Sequence, residues 1–194
     1  MFFYSIIHKP FQVLSQFSAE NNKATLKDFF DVPVDVYPVG RLDYDSEGLL
    51  ILTNDKSLNH RLLHPSFQHQ RTYWVQVDGA ITSTAIQQLE EGVNINVDGK
   101  IHATGKCIVQ VFSAPPDVYD RNPPVRFRKN IPTSWISITL QEGKNRQVRK
   151  MTAAVGFPTL RLIRYSIEKC TVEGLAPGEM RILQQQEIHE LLFH

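Results

Sequence analysis

The chain has 194 residues, a formal net charge of +1, 42% hydrophobic and 21% charged residues, the profile of an ordinary globular protein long enough to bury a substantial core. Disorder and collagen are excluded, no apolar run is long enough to cross a bilayer, and Met1 to Ile7 lacks both the basic start and the cleavage site of a signal peptide, so a cytoplasmic protein is expected. Cys107 and Cys170 are far apart and neither has a second cysteine nearby, which excludes a thiol redox motif or zinc knuckle and leaves two buried, reduced thiols.

Taken in chain order, alternation and β-branched runs predict strands over Phe2 to Ile7, Val36 to Val39, Leu49 to Thr53, Thr72 to Val77, Val93 to Val97, Cys107 to Phe112, Trp135 to Leu140 and Leu160 to Ile167. Helices are predicted over Leu26 to Phe30, Ser57 to Leu63, Ser83 to Glu90, Arg146 to Val155 and Gln186 to Leu192, with Thr82 as a cap and Gly92 as a stop for the third. Strands outnumber helices and no regular βαβ rhythm appears. The fold class is therefore α+β, built around a largely antiparallel sheet flanked by helices. The least structured piece is 115–132, with five prolines and four basic residues, read as a long functional loop or insertion.

The charge is unevenly placed. Between Arg121 and Lys169 stand eleven Lys or Arg against Glu142 and Glu168, a net +9 that leaves −8 for the rest of the chain. A basic face of that kind suits a polyanion, with nucleic acid the natural partner.

Two stretches carry chemistry. The first is "GRLDYDSEGLLILTND", from Gly40 to Asp55, in which Asp43, Asp45 and Glu47 followed by Gly48 imitate the opening of a calcium loop. The twelfth position is Asn54 where a bidentate acid is required, and both flanks read as strands, so the calcium reading is set aside. The second is "EGKNRQVRKMTAAVG", from Glu142 to Gly156: a strand, a turn at Gly143, and a helix with Asn145 as cap and Lys144, Arg146, Arg149 and Lys150 around its start. It lacks the Ser or Thr and the glycine spacing of a P-loop. Val148 and Met151 are expected to face the core.

"VGRLDYDSEGLLILTND", "RTYWVQVDG" and "LQEGKNRQVRKMTAAVGFPTLRLIRYSI" resemble, in order and spacing, the motifs of bacterial pseudouridine synthases of the small-ribosomal-subunit synthase branch, and the resemblance spans nearly the whole chain. It implies the pseudouridine synthase fold, with two lobes, 1–66 and 67–194, and an active-site cleft between them. His8-Lys9-Pro10 departs from the usual Asn-Lys-Pro, and Ser46 stands where Thr is commoner. Many relatives carry an N-terminal S4 RNA-binding domain that this sequence does not show, which places RNA binding on the catalytic domain.

The resemblance also assigns residues. Asp43 matches the catalytic aspartate, Tyr73 the active-site tyrosine that stacks on uracil with its hydroxyl near the departing C5 proton, and Arg149 the basic partner of the aspartate. A carboxylate beside Leu42 and an apolar strand stays ionised only if a cation balances it. Arg41 matches the arginine that fills the gap left by a flipped base, and Leu162 an apolar position lining the uracil pocket. Lys9, Arg146 and Arg164 are expected to contact phosphates. Asp45 and Glu47 are read as ordering the loop by turn hydrogen bonds. The implied activity is isomerisation of a uridine in ribosomal RNA, favouring the large subunit, by a monomer without cofactor or metal. Two other classes compete: a non-catalytic ribosomal-RNA-binding or assembly module, and a carboxylate-metal nuclease or phosphatase that EDTA would silence.

Overall fold

In the computed structural model, residues 2–126 and 131–193 are described. The chain up to residue 69 forms β1 (Tyr4–Lys9), β2 (Tyr37–Pro38), β3 (Glu47–Thr53) and α1 (Lys56–Leu63). Next come β4 (Arg71–Asp78), α2 (Ser83–Glu91), β5 (Asn94–Val97), β6 (Lys100–Ala103), β7 (Ile108–Val111), β8 (Thr133–Leu140) and α3 (Gln147–Ala154). The chain closes with β9 (Thr159–Ile167), β10 (Cys170–Thr171), β11 (Met180–Ile182) and α4 (Gln185–Leu192). The α+β class with a largely antiparallel sheet is as expected. Among the described residues no helix is long and apolar enough to cross a membrane.

The chain folds as two compact units, one made of the residues up to His69 together with those from Ile163 onward, the other of Gln70–Leu162. The expected lobe 67–194 is therefore divided, because the chain after Leu162 returns to the first unit. In that unit β3 is central. One side of it pairs antiparallel with β1 from Tyr4↔Thr53 to Lys9↔Gly48. Its other side pairs with β2 at Tyr37↔Thr53 and, in parallel, with β9 at Glu47↔Ile163 and Gly48↔Arg164. β11 closes the outer edge of β1 and β10 forms a hairpin with β9. With both faces covered, every residue of β3 is buried. Leu49 and Ile51 point into a cluster with Leu58, Leu62 and Ile188 of the helices; Leu50 and Leu52 point the other way, onto Val13, Leu26 and Phe30.

α1 starts where the Asp55 carboxylate accepts from the N–H groups of Ser57 and Leu58, and it ends at His64, before Pro65. Its buried residues, Leu58 and Leu62, are four apart on one face. The predicted helix at Leu26 is shorter than expected, a single 3-10 turn over Leu26–Asp28 in which Asp28 Oδ2 accepts from Thr25 N–H at 2.7 Å.

In the second unit β4 and β8 pair along their whole length, from Arg71↔Leu140 to Asp78↔Thr133, and β7 pairs with the outer side of β8. The expected alternation of β4 holds: Val75 and Val77 are fully buried among Ile136, Ile138, Leu89 and Met151. α2 takes its predicted cap, with Thr82 Oγ1 accepting from Ala85 N–H at 3.2 Å, and stops at Gly92, where φ is +97°. β5 and β6 form a separate hairpin. The predicted proline-rich loop has no regular structure in its described part, and 127–130 of it lie outside the described residues.

Candidate active site

The acidic stretch folds as a tight turn leading into β3. Gly40 takes φ +70° with Leu63 packed over it, and Asp43 C=O accepts from Ser46 N–H at 3.0 Å to close the turn. Leu42 is buried and pinned from a distance: Ser15 Oγ donates to its carbonyl at 2.8 Å and accepts from its N–H at 3.0 Å. Gln12 N–H donates to Tyr44 C=O at 2.8 Å. These bonds hold both neighbours of Asp43 while its own side chain stays half-buried; Arg41 is exposed. No local pattern in the sequence announces Ser15, which lies 27 residues away from Leu42.

Charges are buried beneath this turn. Lys9, at the end of β1, is fully inaccessible, and its Nζ donates to Pro10 C=O at 2.9 Å and Val13 C=O at 2.7 Å. Burial brings its pKa down to about 7, against the opposing pull of Glu47, Asp43 and Asp45 and with a smaller push from Arg164. Glu47 is 2% exposed and opens β3, so it belongs to the sheet and not to the turn. Arg164 is 4% exposed, and its Nε donates to Leu49 C=O at 2.8 Å. Lys9 and Arg164, expected to contact phosphates, are instead enclosed: Nζ of the first and Nε of the second donate to backbone carbonyls inside the first unit. His8, the departure from the usual asparagine, is buried on the opposite face of β1, where Nδ1–H donates to Leu175 C=O at 2.8 Å.

In the second unit Tyr73 sits on β4 opposite Ile138, half-buried against the apolar cluster that also contains Leu162. Val148 and Met151 of α3 enter the same cluster, as expected, so the helix bearing Arg149 rests on the layer that supports Tyr73 and Leu162. Arg149 is half-buried. Arg146 is exposed and is itself the N-cap residue, in the left-handed region at φ 54°, one position beyond the expected cap Asn145. The helix start is built by residues that the sequence pattern does not single out. Gln147 Oε1 accepts from Lys144 N–H at 2.8 Å, and its Nε2 donates to Glu142 Oε1 at 2.7 Å. Glu142 also accepts from Gly105 N–H at 2.8 Å and lies 3.1 Å from His102 Nε2. A glutamine in the first turn of a cationic helix is the available signal.

The first unit holds a constrained carboxylate turn; the second holds a tyrosine, a leucine and an arginine helix on one apolar layer. The sequence model of the RNA pseudouridylate synthase family matches residues 3–154. The chain belongs to that family.

As a pseudouridylate synthase it is an isomerase. The synthase is 50% identical over 179 residues to ribosomal large subunit pseudouridine synthase E of Vibrio parahaemolyticus serotype O3:K6, covering 92% of this chain and 73% of the relative. It is 48% identical over 174 residues to the protein of the same name from Xanthomonas axonopodis pv. citri, covering 89% of each. A solved structure described as a crystal structure of pseudouridylate synthase superposes with a TM-score of 0.77 at 27% identity, covering 99% of this synthase and 74% of that chain. Among the described residues of the synthase no group of three or more His, Cys, Asp or Glu side chains is arranged to hold a metal ion.

Proposed function

We propose that the synthase converts a uridine of large-subunit ribosomal RNA to pseudouridine, with Asp43 as the nucleophile. The observation that carries this reading is the agreement between the names of relatives near half identity over most of the chain and the turn that holds Asp43 at its two neighbours.

The reaction breaks the C1′–N1 bond, turns the base and joins C1′ to C5; the C5 proton leaves, N1 gains one, and no electron or water is consumed. A carboxylate suits it, as an attacking group or as a stabiliser of charge on the sugar while the glycosidic bond weakens. In this reading Arg149 supplies the counter-charge in the reaction, Tyr73 stacks on the uracil with its hydroxyl near C5, and Leu162 lines the pocket. Arg41, exposed and two residues before Asp43, occupies the gap left by the extruded base. Arg146 contacts a phosphate. These roles rest on the motif resemblance; the half-buried settings of Tyr73 and Arg149 on a shared apolar layer support them.

The test is Asp43→Asn with a large-subunit ribosomal RNA transcript carrying tritium at uridine C5. Tritium release is expected to fall by at least about 10⁴-fold, with RNA affinity retained. Release at the parental rate would overturn the nucleophile; no pseudouridine from the parental protein would instead favour the non-catalytic RNA-binding module.

A further inference from the structure

A chain of rings runs from the interior of the first unit to its surface at the end of α1. His189 meets Phe193 at 5.5 Å, Phe193 meets His69 at 5.5 Å, and Phe67 stacks on His69 at 6.1 Å with 21° between planes. From Phe67 the chain continues to His64 at 6.0 Å and on from His64 to His60 at 5.2 Å. Both ends of the Phe67 neighbourhood are locked. His69 is buried with Nδ1 3.0 Å from Glu168 Oε1, and His64 Nδ1 accepts from Ser66 Oγ at 2.7 Å and from Ser66 N–H at 3.4 Å.

Core packing accounts for the inner rings but not for the outer ones. Phe67 is 47% exposed, Leu63 is 46% exposed, and Arg61 and His64 are exposed beside them. Leu63 also lies over Gly40, so this face borders the turn that bears Arg41 and Asp43. Lys56 to His69 contains Lys56 and Arg61 but no Asp or Glu. Arg61 lies 3.6 Å over the Phe193 ring and Glu168 is taken up by His69, which leaves the outer rings, His64 and Phe67, as flat exposed surfaces beside the turn that bears Asp43, a setting that fits a nucleobase of the RNA bound there. Little rotamer freedom is left to lose on binding, and every base has a π-face.

We infer that His64 and Phe67, flanked by Leu63 and Arg61, form a stacking surface for an unpaired base of the substrate RNA near the target uridine. The inference deepens the proposed function and rests on Asp43 marking the place of reaction. The platform holds a neighbouring nucleotide; it takes no part in bond making and serves affinity.

The test compares Phe67→Leu, His64→Ala combined with Phe67→Leu, and Phe67→Trp on the tritiated large-subunit ribosomal RNA transcript. Removing the rings is expected to raise KM about tenfold, the scale of a lost base-stacking contact, with the single-turnover rate at saturating RNA unchanged. Phe67→Trp is expected to keep the parental KM and to show quenching of the new indole, beyond that of the parental protein, as transcript is added. Parental KM in both ring-deleted variants, or an added indole signal indifferent to transcript, overturns the platform. So does a defect seen only on assembled ribosomal particles, which assigns the face to a protein. An active Asp43→Asn protein would instead overturn the underlying reading, whatever the ring variants do.

Discussion

Gln147 and Glu142 stand on either side of the turn into α3, and the amide of the first donates to the carboxylate of the second at 2.7 Å. The helix that carries Arg149 is thereby tied to the end of β8 and, through Gly105 and His102, to the β6 side of the unit. Gln147→Leu leaves Lys144 N–H without its side-chain acceptor and takes one donor from Glu142 Oε1. It is expected to cost about 2 kcal/mol of stability, read as a lower Tm, with reduced turnover.

Glu142 gives the acid limb of the same network. Burial pushes its carboxyl up, but the bonds from Gly105 N–H, His102 and Gln147 outweigh that and hold it below the usual carboxylate range. A depressed folded pKa contributes stability above the ordinary range and loses it as pH falls through the lowered value. Glu142→Gln is therefore expected to flatten the acid limb of Tm against pH; an unchanged limb would remove this group from acid unfolding.

Lys9 predicts a dependence in the opposite region. Its folded-state pKa of about 7 lies below the ordinary 10.5, so between those values the unfolded chain binds more protons. Its penalty is full below about pH 7, and stability rises with pH through the window by at most about 1.4 kcal/mol per unit. Lys9→Met abolishes this rise and leaves Pro10 C=O and Val13 C=O without their buried donor, so Tm at pH 7 is expected to drop as well. Thermal unfolding at about pH 7 and about pH 9.5 for both proteins checks the two effects.

Gly48 is sterically committed. At φ +107° in β3, an added Cβ would lie 2.4 Å from Arg164 C=O, a backbone atom of the paired strand. Gly48→Ala is expected to cost roughly 3 kcal/mol or more, since both the conformation and the space are wrong. Gly99→Ala, with positive φ but nothing within 4 Å, supplies the comparison and should lose much less. Equal losses in denaturant melts would show that space is not what Gly48 provides.

Arg149→Lys separates a counter-ion from a phosphate contact. Charge is kept and the planar fork is lost, so kcat is expected to fall about 10- to 100-fold with RNA affinity nearly unchanged. A weaker affinity with a shallower salt slope and normal kcat would make Arg149 a backbone contact instead.

Much of the fold is legible in the sequence because its signals are local. The alternation of Tyr73, Val75 and Val77 declares a half-covered strand, Thr82 and Gly92 bound α2, and the apolar run after Gly48 declares a buried strand. Elements without a local signature escape such a reading: β10 and β11 are two and three residues long, and exist because the longer strands β9 and β1 offer them an edge. The start of α3 differs by one residue from its expected cap because the left-handed Arg146 is imposed by the Gln147 and Glu142 bonds, not by its own preference.

What the amino-acid sequence determined unaided was the class of the fold and the residue types of the candidate site, since caps, periodicity and motif order depend on neighbours along the chain. Tertiary structure alone decided the fate of individual charges. Lys9 and Arg164 read as phosphate contacts until the β1–β3–β9 pairing enclosed them, and the return of the chain after Leu162 divided a lobe that the motif resemblance had left whole. The physical reason is common to both. Desolvation depends on which segments, distant in sequence, cover a group, and no spacing rule within one segment carries that information.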